Sequence, residues 1–174
     1  VPDATPHGAT KRQAGSRHDV TALENLVRRT QLSDIRLQAF SGAVIRTPPE
    51  DISVTVTPAT PRFARDEGAI IALFSHRIDY TGPDPRRADD DETPVGHLET
   101  THLVEVSLAG DDAPSDESIE AFLSGNVLFM VYPYIRAALH RLPSEFGLPP
   151  VLLPYLRRDT LGVVLADEAT PGSR

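Results

Sequence analysis

A chain of 174 residues has the length of a single domain, and Leu, Ile, Val and Phe together supply enough apolar mass for a core. A net charge of −8 and a pI near 5.2 leave no cationic excess to neutralise phosphates or anionic headgroups, which argues against nucleic-acid and membrane-surface partners. The absence of Cys excludes disulfides, thiolate metal cages and a cysteine nucleophile, and no apolar run approaches the roughly 18 residues of a membrane span or the h-region of a signal peptide, so a soluble, cytoplasmic chain without membrane insertion is expected.

Residues 1–18 carry Pro2, Pro6, Gly8 and Gly15 and no apolar period, the composition of a disordered tail. Val20, Leu23, Leu26 and Val27 then form one stripe of a short helix over 19–30, with Asp19 in a capping position. Ile35, Leu37 and Ala39, followed by Ala43 and Ile45, predict a strand bent at Ser41-Gly42 and stopped by Pro48-Pro49. Ile52, Val54 and Val56 alternate with Ser53, Thr55 and Thr57, the cleanest period-two pattern in the chain. A proline-punctuated stretch holding Phe63 precedes two β-biased runs, 69–80 and 97–108, joined by a long hairpin loop over 82–94 with the acidic run Asp89–Glu92. The count at this point is four strands.

Two helices follow. Ser115 is placed to cap the first, about 116–124, with Asp116, Glu117 and Glu120 at the positive end of its dipole and Gly125 as its stop. Asn126 is placed to cap the second, to about Leu142, with Met130, Tyr134, Ala138 and Leu142 on one stripe and Val127, Val131, Ile135 and Leu139 on the next. Pro133 removes the bond to the Phe129 carbonyl, so a kink is expected there. Pro149, Pro150 and Pro154 force 148–156 into an extended path. Strands followed by helices indicate an α+β fold: a four-stranded antiparallel sheet of meander or Greek-key type with helices on one face. The domain is placed at 19–156, and 157–174 is read as a weakly ordered tail or short lid.

Catalytic and cofactor signatures are missing. The sequence has no GxGxxG or GxxxxGK[ST] loop, no GxSxG elbow and no HExxH pair. His97 and His102, five apart in a strand, point to opposite faces and do not chelate one metal. The acidic run lacks the alternating oxygen ligands of a calcium loop. No catalytic residue, metal or cofactor is assigned.

The stretch from Asn126 to Pro154 resembles the most diagnostic segment of the SecB family of chaperones. The matching positions are Tyr132-Pro133-Tyr134-Ile135-Arg136 at the helix and Leu148-Pro149-Pro150-Val151-Leu152-Leu153-Pro154 beyond it. Four strands ahead of the helices also agree with that family's fold, over about 33–156. The helix at 19–30 before Ser33-Asp34-Ile35-Arg36-Leu37 is similar to the toxin–antitoxin-associated branch of actinobacteria. The resemblance implies an ATP-independent holdase, a homotetramer built as a dimer of dimers, whose apolar grooves bind unfolded or partly folded clients, either an antitoxin or export precursors. On that footing the client-binding residues are Ile52, Val54, Val56, Phe63, Leu152, Leu153, Tyr155 and Leu156, while Met130, Tyr134, Ile135, Ala138 and Leu142 build the core and the tetramer contact. Export members dock the SecA motor through acidic residues on the outer sheet face. Here Gly42 and Arg46 stand at two such positions and only Glu99 is retained, so a SecA contact is a weakened expectation. A small-molecule carrier or enzyme using the sheet/helix cleft is the rival of a different class.

Overall fold

The computed structural model describes residues 13–84, 86, 92–111 and 113–156. Helix α1 (Gln13–Arg29) runs directly into strand β1 (Thr30–Val44), which is followed by β2 (Ser53–Pro58), β3 (Arg62–Asp66), β4 (Ala69–Pro83) and β5 (Glu92–Leu108). All pairings are antiparallel, and the order across the sheet is β1-β5-β4-β2, with β3 also on β4. Strand β2 covers His76–Thr81 of β4 and β3 covers Ala69–Leu73, so the two lie end to end along one edge.

The predicted four-stranded sheet is therefore corrected to five strands, four positions wide, because one edge strand is interrupted at residues 59–61. The prolines around Phe63 concealed β3, for proline is tolerated at just such edges and breaks. The chain enters β1 on one edge and resumes at β2 on the other, and the next three positions are antiparallel neighbours, a Greek-key order. The hairpin arms of β4 and β5 reach Pro83 and Glu92, further than predicted, and the acidic positions 89–91 lie outside the described residues.

Alternation along β4 and β5 sorts the two faces. Ile70, Ala72, Phe74, Ile78 and Tyr80 from β4, and Leu98, Val104 and Val106 from β5, are buried on one face, whereas Arg77 and Glu99 stand on the other. Strand β1 bends by register shifts between Leu32 and Asp34 and between Leu37 and Ala39, not at Gly42 as predicted. Gly42 serves close approach instead: a Cβ there would meet the His97 carbonyl oxygen at 2.8 Å and Leu98 Cδ1 at 3.0 Å.

Helix α1 begins upstream of Asp19, which is interior to it and is not its cap. Ser115 caps α2 (Asp116–Phe122) as expected, its hydroxyl accepting from the Ser118 N–H at 3.2 Å. Neither Gly125 nor Asn126 breaks the chain there. Residues Leu123–Val127 form a π turn that carries α2 directly into α3 (Leu128–Arg141), and a 3₁₀ turn, Leu142–Phe146, closes it. The two predicted helices are one continuous helical run of 31 residues, long and apolar enough in length and composition to cross a bilayer. Its stripe Val127, Val131, Ile135 and Leu139 is fully buried with the sheet residues, the pattern of a core helix.

Candidate functional site

The site is built from an edge strand and an irregular segment. Val54 pairs with Tyr80, Val56 with Ile78 and Phe63 with Ala72. Direct antiparallel partners share a face, and Tyr80, Ile78 and Ala72 are all 0% exposed. The predicted client residues of β2 and β3 thus sit on the helix-bearing face, at its open margin. Ile52, Val56 and Phe63 are half-buried against the core, and Val54 is 38% exposed. The hydroxyl residues face the other way, where Ser53 and Thr81 both donate to Glu92 at 2.6 Å and hold its carboxyl below the usual range.

The opposite bank begins at Gly147, whose positive φ of 70° turns the chain out of the 3₁₀ run. The N–H groups of Gly147 and Leu148 donate back to Ser144 and Pro143, each at 3.0 Å, and Leu148 is buried against Gly96. From there residues 148–156 return along α3 without regular structure, as their prolines predict. Val151 N–H donates to the Leu139 carbonyl at 3.1 Å. The Tyr132 hydroxyl donates to the Pro154 carbonyl at 2.6 Å, and the Arg136 guanidinium lies 4.2 Å from the Tyr155 ring centroid. These ties leave Leu153 and Leu156 half-buried and expose Leu152 and Tyr155 by 75% and 78%.

Tyr80 joins the two banks. It is the strand partner of Val54, and its hydroxyl donates to the Pro149 carbonyl at 3.1 Å. Burial pushes its pKa up to about 12. The structure therefore brings the two predicted halves of the groove to the same part of the fold, although Val54, Leu152 and Tyr155 alone among the eight are exposed. The five helix residues divide: Ile135 and Leu142 are core, Ala138 is half-buried, and Met130 and Tyr134 present 43% and 51% of their surface outward.

Two features escaped the sequence. Arg46 spans the end of the sheet, its Nη2 donating to the carbonyls of Gly82 (2.7 Å) and Thr93 (3.3 Å) and to Thr93 Oγ1 (3.0 Å), and its Nε to the Pro94 carbonyl (3.3 Å). The other is a patch of buried polar groups. His102 and His97 do face apart, but the fold brings His102 near His76, whose strand partner is Thr100. Desolvation lowers the His76 pKa to about 4, with His102 adding to the shift; desolvation also lowers that of His102, against the Tyr134 backbone. Among the described residues no three His, Cys, Asp or Glu side chains converge as a metal site would require.

The open sheet, single long helical run and extended proline segment match the fold of a solved SecB-like chaperone. The structure superposes with a TM-score of 0.67 on the Mycobacterium tuberculosis Rv1957 SecB-like chaperone, determined in complex with a ChAD peptide from the Rv1956 HigA1 antitoxin, at 23% identity and covering 79% of this chain and 98% of that one. In sequence the chain is 29% identical over 146 residues to SecB-like chaperone Rv1957 of strain H37Rv, and 28% identical to SecB-like chaperone MT2006 of strain CDC 1551, spanning 76% of this chain and 81% of each relative. No family model matches. The resemblance carried by Tyr132–Arg136 and Leu148–Pro154 thus has a counterpart along most of the chain.

Proposed function

We propose that this chain is a molecular chaperone that takes an antitoxin as its client, holding the non-native polypeptide against the margin formed by Val54, Leu152 and Tyr155. The observation that carries the reading is the likeness, in sequence and fold, to SecB-like chaperones, one of them solved with an antitoxin peptide. The exposed apolar margin supplies the physics: burying a few hundred Å² of client at about 25 cal/mol per Å² gives several kcal/mol before ordering costs. Such capture needs area and no reaction chemistry, which suits an ATP-independent holdase. Met130 and Tyr134, exposed on the helical run, are the side chains we assign to the contact between copies in a tetramer.

SecA docking is not part of this reading. Gly42 has no room for a side chain, Arg46 is engaged with the end of the sheet, and Glu99 is paired with Arg77 at 2.7 Å. The rival small-molecule reading finds little support: two cavities among the described residues, one beside Arg65 at the end of β3 and the other near Arg29, hold about 150 and 240 Å³. Ligand pockets commonly run to about 300–1,000 Å³.

Suppression of aggregation of a thermally unfolded client, measured by light scattering with and without nucleotide, tests the proposal. Protection without ATP is expected; no protection by the wild-type chain at several-fold molar excess overturns it.

A further inference from the structure

Charge is unevenly distributed along this chain. Residues 126–158, which hold α3, the proline segment and the two residues after it, carry Arg136, Arg141, Arg157 and Arg158 against a single acid, Glu145, although the whole chain is at −8. Arg136 is the cation placed at the exposed apolar margin. It is half-buried, and its guanidinium lies 4.2 Å from the centroid of the Tyr155 ring, which is 78% exposed. Burial raises the pKa of the Tyr132 hydroxyl and Arg136 opposes the rise, so the cation stands near both tyrosines at the end of the proline segment. A guanidinium over a ring uses its flat face and leaves its edge, where the N–H donors lie, for a planar acceptor. Among the described residues no carboxylate fills that place. The ion pairs there are Arg36–Asp34, Arg65–Asp116, Arg77–Asp79 and Arg77–Glu99.

We infer that Arg136 gives the margin a preference for client segments in which a carboxylate neighbours apolar side chains, the carboxylate meeting the guanidinium edge and the apolar side chains meeting Val54, Leu152 and Tyr155. The inference rests on the client-binding reading above and names the class of segment that site favours. A wholly apolar segment laid on the margin takes water from Arg136 and returns no partner, which costs free energy. A basic segment adds like-charge repulsion to that loss. An acidic one replaces the water with a charge-assisted hydrogen bond, bidentate where the fork is met squarely. At physiological salt, charges are screened beyond about 8 Å, so a cation in contact acts more strongly on the client than the surplus carboxylates at a distance. A second copy of the chain is the poorer occupant, because a symmetric contact presents the same cationic stretch to itself.

The test uses the full chain and two fluorescently labelled synthetic peptides with the same alternating leucine and tyrosine pattern, one with glutamates between them and the other with lysines, followed by anisotropy at low and at raised salt. A chain at −8 without such a site favours the lysine peptide, so the sign of the preference is itself informative. Wild type is expected to bind the glutamate peptide about five-fold more tightly at low salt, the contribution of one ion pair, and the gap is expected to narrow as salt rises. Arg136→Gln is expected to lose the preference and Arg136→Lys to keep part of it, which separates charge from packing on Tyr155. Equal or reversed preference in the wild type overturns the inference while leaving client binding in place, and so does a preference that survives in Arg136→Gln. A changed mass for Arg136→Gln in light scattering overturns it too, because the cation then serves a contact between copies. Binding of neither peptide by the wild type overturns the client reading and the inference together.

Discussion

His76 illustrates how a single side chain couples this fold to pH. Its folded pKa, lowered to about 4 by burial and by His102, lies below the 6.5 it has in an unfolded chain. Between those values the unfolded state binds a proton that the folded state refuses, so stability is full above pH 6.5 and falls as pH drops toward 4. The loss is about 3 kcal/mol over that window, and His102, shifted the same way, adds to it. Denaturant unfolding of wild type and His76→Gln from pH 7.5 to 4 checks this: the variant's curve is expected to be flatter, and parallel curves would refute the assignment. Arg46 acts at the same scale through geometry. Its fork joins carbonyls from both arms of the β4–β5 hairpin to the segment leaving β1, a span that a lysine ammonium, as a point donor, does not reproduce. Arg46→Ala is expected to lower stability by roughly 2 kcal/mol, with Arg46→Lys recovering less than half, both read from denaturant midpoints.

Most elements were legible because their periods were clean. Ile52/Val54/Val56 announced β2, and Ser115 followed by acidic residues announced α2, since alternation and capping are local properties written in adjacent residues. What failed was non-local. Phe63 lies in a run too short and too proline-rich to show a period, and β3 exists because Ile70–Leu73 of β4 offers it a partner. Gly125 and Asn126 read as a helix end on intrinsic preference, yet burial of Phe122, Leu123 and Val127 on either side holds the helical path and places a π turn there. Of the candidate groove, the sequence placed the apolar residues on a strand and an extended segment, but exposure of Val54 and burial of Ile135 depend on which elements pack together. Gly125 gives this explanation a test. If packing dominates, Gly125→Ala removes flexibility from a continuous helix and is expected to raise stability by about 0.5–1 kcal/mol, with nothing within 4 Å of the added Cβ to oppose it. A loss of stability would mean that the π turn needs glycine.

At the scale of the whole molecule, exposed large apolar residues among those described lie along β1 (Phe40, Val44 and, just past it, Ile45), on the helical run (Met130, Tyr134) and at the margin (Val54, Leu152, Tyr155), and the last two sets have different surroundings. Met130 and Tyr134 project from α3, a helical surface packed on the core and suited to a second copy of the same chain, where repeated identical geometry favours a closed symmetric contact. Val54, Leu152 and Tyr155 border a strand edge and an irregular segment held by a few hydrogen bonds, the surface assigned here to the client. The acidic balance of the chain, net −8, opposes indiscriminate association of these patches. Substitution separates the two roles. Tyr134→Asp is expected to shift the mass measured by light scattering from that of the proposed tetramer toward smaller species, because a carboxylate would be buried in the proposed contact without a partner. Val54→Asp is expected to leave the mass unchanged and to weaken suppression of client aggregation several-fold, since Val54 already meets water and a charge there costs the fold little. If Val54→Asp dissociates the assembly and Tyr134→Asp abolishes client protection with its mass intact, the two surfaces have been assigned the wrong way round.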